Sequence, residues 1–162
     1  MHIRLPCGSL LEAALRAAVA LLEEALRDGT VDMIATDHAP HSAQEKAGGL
    51  PGSLNGIVGL ECAFPVLYTR LVRGGIISME RLLELLCTAP AERFGLDSGK
   101  IEIGKPANLT VFDLAEEYEI NSANFLSLGK ATPFEGWRVY GRCLLTLADG
   151  KIAWQYGEVQ HA

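Results

Sequence analysis

The sequence has no C-x-x-C pair, no internal repeat, no low-complexity tract and no excess of basic charge. Each absence removes a class of protein. The four cysteines, Cys7, Cys62, Cys87 and Cys143, are scattered rather than framed. Scattered cysteines in a mixed sequence fit a reducing compartment, with most of them serving as small core residues. Lysine and arginine number 14 against 20 acidic residues, a formal net charge of −6. With no basic stripe, a protein that tracks nucleic-acid phosphates is excluded. The apolar run from Leu10 to Leu22 carries Glu12 and Arg16. It is too short and too charged for a membrane span, which takes about 20 apolar residues. The start, Met1–His2–Ile3–Arg4, lacks the shape of a secretory leader. The sequence therefore reads as cytoplasmic.

What is present is globular material. Hydrophobic residues make up 49% of the 162 and charged residues 21%, which excludes a disordered chain. A compact chain of this size buries roughly 70% of its unfolded surface, enough for a core. The length suits one domain or a little more.

Ser9–Leu10–Leu11–Glu12 has the form of a capping box, with a helical pattern through Arg27 and Gly29 placed to end it. Val31 to Thr36 reads as a short, mostly buried strand. Asp37 to Gly56 is a long loop, of a kind that in compact domains is usually functional or disordered. Ile57 to Arg73 is a helix, kinked or restarted at Pro65 and stopped by Gly74–Gly75. Ser78 caps a helix from Met79 to Cys87, and Pro90 to Phe94 is a short one before Gly95. After Leu96 the character changes to β. Ile101 to Ile103 and Leu109 to Phe112 read as strands. Asp149–Gly150 joins Trp137–Leu147 to Lys151–Tyr156 as a hairpin.

The chemistry concentrates in Asp37–His38–Ala39–Pro40–His41, directly after the expected strand. In α/β folds that is where active sites lie. Adjacent strand positions face opposite ways, so Asp37 and His38 do not readily serve one centre, whereas Asp37 and His41 converge if Pro40 turns the chain. A carboxylate there can ligate a divalent metal and act as general base. The same residues also read as a loop cap with surface histidines, and two ligands do not make a zinc site. His2 and His161 are expected at exposed termini. The stretch Gly48 to Gly56 is either a mobile lid or a plain flexible loop. Gly99–Lys100 and Gly104–Lys105–Pro106 look like turns, and Trp137, Tyr140, Trp154 and Tyr156 like packing residues. Glu116, Glu117 and Glu119 read as a solvated face.

Ile34-Ala35-Thr36-Asp37-His38-Ala39-Pro40-His41 resembles the late signature of the dihydroorotases, in the amidohydrolase superfamily. Gln44–Lys46, Asn55–Glu61, Pro90–Leu96, Gly99–Asp113, Thr132–Trp137 and Asp149–Lys151 continue the likeness, which covers about residues 27 to 156. The resemblance implies an α/β fold: the last part of a (β/α)8 TIM-like barrel, followed by part of a small β domain. Residues 1–96 would belong to the barrel, with its eighth strand at about 31–36, and 97–162 to the β domain. It implies reversible cyclisation of N-carbamoyl-L-aspartate to dihydroorotate in pyrimidine biosynthesis, with zinc as cofactor. Asp37 would match the aspartate that ligates zinc, takes a proton from the attacking hydroxide and passes it to the leaving nitrogen. His41 would match the substrate-holding histidine, and Asn55 and Gly56 the loop pair that contacts the substrate ring.

The family's early H-x-H pair, carboxylated lysine and two later metal histidines have no counterpart here, nor does its Asn-Pro-Pro-Leu-Arg element. Ala89 stands where Asn is usual and Asn108 where Asp is usual. The expectation is therefore a C-terminal segment of a zinc-dependent cyclic amidohydrolase, inactive alone. The alternatives are a non-catalytic companion of aspartate transcarbamoylase and a hydantoinase- or allantoinase-like enzyme. Unpaired strand edges predict self-association or a complementing chain.

Overall fold

The computed structural model describes residues 7–157; His2 and His161 lie outside them. Helix α1 (Cys7–Asp28) is rich in Leu and Ala, which carry the best helix propensities. Gly29 ends it with φ 88°, a left-handed conformation that glycine adopts freely. The helix begins at Cys7, so Ser9, expected as its cap, falls within the first turn; helix ends commonly differ by a residue or two.

The expected strand at 31–36 forms no ladder. Strands exist by pairing, and among the described residues none runs alongside this segment. The pattern that suggested a strand still acts, because Val31 and Ile34 pack on the core. Ile34 N–H donates to the Leu85 carbonyl at 3.0 Å. Pairing appears only afterwards, as a parallel bridge between His38 and Ile57.

The loop from Asp37 contains one helical turn, α2 (Gly49–Gly52). A 3-10 turn at Leu60–Cys62 leads into α3 (Ala63–Leu67), which a π turn at Tyr68–Val72 extends. Pro65 sits in the first turn of α3, where its missing N–H costs no helical bond. Ile57 and Val58, expected in this helix, are held outside it by the His38 bridge and by a bond from Val58 N–H to the Ala131 carbonyl. The Ser78 hydroxyl accepts from Arg81 N–H at 3.1 Å and caps α4 (Met79–Leu83). A π turn at Glu84–Thr88 joins α4 to α5 (Ala89–Phe94), which Gly95 closes at φ 65°.

Strands β1 (Leu109–Glu119), β2 (Arg138–Ala148) and β3 (Lys151–Gln155) form an antiparallel sheet in that order. Asp149 and Gly150, both at positive φ, make the expected hairpin turn, and the Asn108 side chain accepts from Asp149 N–H at 2.8 Å. β1 runs past Phe112 through an irregularity between Asp113 and Glu117. There the Asp113 carboxylate takes the N–H groups of Ala115 and Glu116. Ile101–Glu102–Ile103 is not the expected strand. Gly99 and Gly104, at φ 83° and 90°, bend the chain on either side, and Lys105 N–H closes a turn on the Glu102 carbonyl.

Tyr68, Ile77, Leu82 and Leu85 centre one core, which Leu26, Val31 and Ile34 complete. Cys62, Val66, Ile120 and Val139 centre the other, with Phe134 and Trp137 against it. The sheet meets α3 closely: a Cβ at Gly141 would lie 3.0 Å from the Phe64 ring. Trp137 and Tyr140 pack as expected, under the guanidinium groups of Arg70 and Arg73. Arg142 lies over the rings of Tyr118 and Tyr156, 3.9 and 4.8 Å from their centroids, and pairs with Glu116. Burial pushes the Tyr118 phenol up to about 12, although Arg142 pulls the other way. Glu117 pairs with Arg138, so the acidic face is partly neutralised rather than simply solvated.

Candidate active site

Asp37 breaks the extended run with φ 47°, a left-handed conformation that aspartate tolerates better than most residues. It is exposed, and no hydrogen bond among the described residues engages its carboxylate. His38, half-buried, points elsewhere. Its Nδ1 accepts from the N–H groups of Gly59 and Leu60, both at 3.2 Å, and so caps the 3-10 turn before α3. His38 has no role in the family pattern that the sequence resembles. An imidazole is not a usual cap residue, and no local pattern announces one.

His41 Nε2 lies 2.7 Å from the Asn55 carbonyl oxygen. A carbonyl only accepts, so this ring nitrogen carries the proton. Its Nδ1 lies 3.7 Å from the Glu45 carboxylate. That carboxylate takes both the Ser42 N–H and the Ser42 hydroxyl, at 2.8 and 2.9 Å, while Glu45 N–H returns to the hydroxyl. This is a reciprocal capping box, legible in the spacing Ser42-x-x-Glu45. The Ser42 N–H and then its hydroxyl hold the Glu45 carboxyl below its usual range, and His41 adds to the effect.

Gly56 completes the arrangement. At φ 130° it fits where a Cβ would stand 2.6 Å from the Ala39 carbonyl oxygen and 3.1 Å from His41 Nε2. The Lys46 ammonium donates to the carbonyls of Leu54 and Gly56, on either side of Asn55. Ser53 Oγ donates to the Lys46 carbonyl at 2.8 Å. The stretch that read as lid or flexible loop is thus a bonded turn. From the far side, a Cβ on Gly129 would lie 2.8 and 2.9 Å from the backbone O and N of His41. Glu61 fixes that strap by accepting from the N–H groups of Leu126 and Ser127 at 2.7 and 2.9 Å.

The structure therefore brings His41, Asn55 and Gly56 into one contact set. Asp37 lies on the same segment, without a bond to these three. Among the described residues no three His, Cys, Asp or Glu side chains gather as a metal site. Asp37 is suited to be one ligand of a larger set and not the whole of one, since zinc takes three or four protein ligands.

Residues 5–153 match the amidohydrolase family. The dihydroorotase of Bacillus thuringiensis (strain Al Hakam) is 53% identical over 136 residues, which is 84% of this chain and 32% of that enzyme. Among solved structures, the L-hydantoinase (dihydropyrimidinase) of Arthrobacter aurescens superposes with a TM-score of 0.78 at 34% identity, covering 86% of this chain and 32% of that one. The D-hydantoinase (dihydropyrimidinase) of Thermus sp. gives 0.79 at 28% identity, covering 88% and 32%. The chain thus spans about a third of the length of these relatives. The Asp37–His41 turn, the loop folded onto it and the helices and sheet behind them are one segment of a known architecture: the chain belongs to the amidohydrolase family.

Proposed function

We propose that this chain is the C-terminal segment of a zinc-dependent, dihydroorotase-like cyclic amidohydrolase, interconverting N-carbamoyl-L-aspartate and dihydroorotate in the cytoplasm. The observation that carries the reading is the joining of His41 to Asn55–Gly56 on the turn that Asp37 opens. In this reading residues 1–96 close a (β/α)8 barrel, with 31–36 as its eighth strand once neighbours pair with it, and 97–162 build part of the β domain.

Asp37 would offer one carboxylate to zinc, and its carboxylate would carry the proton between the attacking oxygen and the ring nitrogen. When bound, zinc supplies Lewis-acid polarisation of the amide carbonyl and lowers the pKa of water. His41 offers a protonated Nε2 to the substrate, in place of the Asn55 carbonyl it now meets. Asn55 and Gly56 present backbone to the ring, and a side chain at Gly56 would press on the Ala39 turn and crowd His41 Nε2. The solved hydantoinases favour a second reading, ring opening of a hydantoin; the higher identity to a dihydroorotase favours the first. The exposed carboxylate of Asp37 weighs against a purely structural companion of aspartate transcarbamoylase. Exposed Leu15, Val19, Leu22, Ile101 and Ile103 favour association with a complementing chain or with further copies.

The test is a chimera in which residues 27–156 replace the matching third of the Bacillus thuringiensis enzyme, assayed with zinc and dihydroorotate. Turnover is expected, falling about 100-fold or more with Asp37→Asn, in the range of general acid–base contributions. A chimera that folds and binds zinc but opens only hydantoin would favour the second reading. Robust turnover by the 162-residue chain alone would contradict the segment reading.

A further inference from the structure

The carbonyls of three successive residues, Leu54, Asn55 and Gly56, are all engaged by side chains from the turn below. The Lys46 ammonium takes the first and third, and His41 Nε2 takes the middle one at 2.7 Å. The chain bends at Asn55 and Gly56 lies at φ 130°, and with the ammonium holding the carbonyls on either side, the Asn55 carbonyl is the one left to meet His41. A lysine ammonium has three donors and no acceptor, so it can bind two carbonyls at once. Lys46 is half-buried, which strengthens these charge-assisted bonds over exposed ones. Nothing else among the described residues holds the Leu54 and Gly56 carbonyls by side chain.

We infer that Lys46 is a positioning residue: by clamping the carbonyls on either side of Asn55 it aims the Asn55 carbonyl at His41 and so fixes which ring nitrogen of His41 carries the proton offered to the substrate. This rests on the proposed role of His41 and Asn55–Gly56 in holding the substrate ring. Lys46 touches neither the substrate nor the reacting atoms in this scheme. It acts through the loop.

The fixed tautomer has a spectroscopic signature in the ring nitrogen resonances of His41, readable by NMR on the full chain and independent of turnover. In the unsubstituted chain a single Nε2–H tautomer is expected. Lys46→Met keeps the aliphatic stem and removes the ammonium. It is expected to give averaged His41 nitrogen signals in the chain and, in the chimera, about tenfold weaker binding of dihydroorotate, because the His41 proton is no longer held toward the ligand. Ser53→Ala removes a neighbouring bond of the same loop without touching the ammonium. It is expected to leave the His41 signals in place. Unchanged His41 signals in Lys46→Met overturn the clamp, and so does equal averaging in Ser53→Ala, which would mean that any loosening of the loop suffices. A chimera that shows the fixed tautomer but neither binds nor turns over dihydroorotate overturns the functional reading instead, while loss of the tautomer in Lys46→Met still supports the clamp.

Discussion

Gly56→Ala separates the close approach at the site from ordinary glycine effects. Two costs are expected. At φ 130° an L-residue occupies a region reserved almost wholly for glycine, a strain of about 1–3 kcal/mol. The new Cβ would also stand 2.6 Å from the Ala39 carbonyl oxygen and 2.7 Å from the Ala39 Cβ, and neither is the far end of a flexible side chain. The 39–41 turn must move, which breaks the bond from Ala39 N–H to the Ile57 carbonyl and that between His41 and Asn55. Each such bond contributes about 1 kcal/mol, so the total is about 3–5 kcal/mol. At about 2–4 °C per kcal/mol for a chain of this size, the midpoint of thermal unfolding should fall by roughly 6–20 °C. Gly29→Ala is the control. It shares the positive φ, at 88°, but its Cβ would meet nothing within 4 Å. It should cost only about 1–2 kcal/mol. Thermal unfolding followed by circular dichroism compares the two. If Gly56→Ala is no more destabilising than Gly29→Ala, the packing of Gly56 against the His41 turn does not hold the loop and the reasoning fails.

Leu85 is fully buried in the helical core, so Leu85→Ala should cost about 2–5 kcal/mol by denaturant titration, far more than the same change at exposed Leu22. The Tyr118 phenol titrates at about 12 instead of 10 because it is buried. The fold therefore favours its neutral form, and that contribution is whole below pH 10 and is lost as pH rises toward 12. Phenolate absorbance should show a late-ionising tyrosine that Tyr118→Phe removes. Glu45 is held below its ordinary 4.5 by the Ser42 bonds, so the fold favours its carboxylate. Its contribution is present above that value and lost as pH falls through the lowered one. Hydrogen exchange at the Ser42 amide should rise over that acid range, and Glu45→Gln should abolish the dependence.

The features legible in the sequence are those that close over a few residues. Asp149–Gly150 turns because two adjacent residues adopt positive φ, and Ser78 caps because its hydroxyl meets an N–H three residues on. The Asp37–His41 block carried its own signature. The strand expected at 31–36 needed a partner strand, which no local pattern supplies, so its apolar residues pack without a ladder. Ile101 and Ile103 misled in the same way, between two glycines that bend the chain. The residues that build the site around His41 were hidden for a related reason. Glu61 grips amides 65 and 66 residues away, His38 those 21 and 22 away, and Gly129 matters only because of what lies against it. Lys46 stood within the recognised block, yet its partners are backbone carbonyls, which carry no sequence signal.

The guanidinium of Arg142 bears on how the sheet behaves as a unit. It sits on β2, covers Tyr118 from β1 and Tyr156 just beyond β3, and is paired to Glu116. β3 has only five residues and would by itself fray from the edge. With one planar group lying over rings from both flanks, sliding β3 by one residue would turn Tyr156 to the opposite side and strip it from the stack. Arg142 thereby works as a register lock. It converts the weakest strand into one that leaves only when the whole sheet opens, so the C-terminal hairpin should unfold in step with β1 rather than ahead of it.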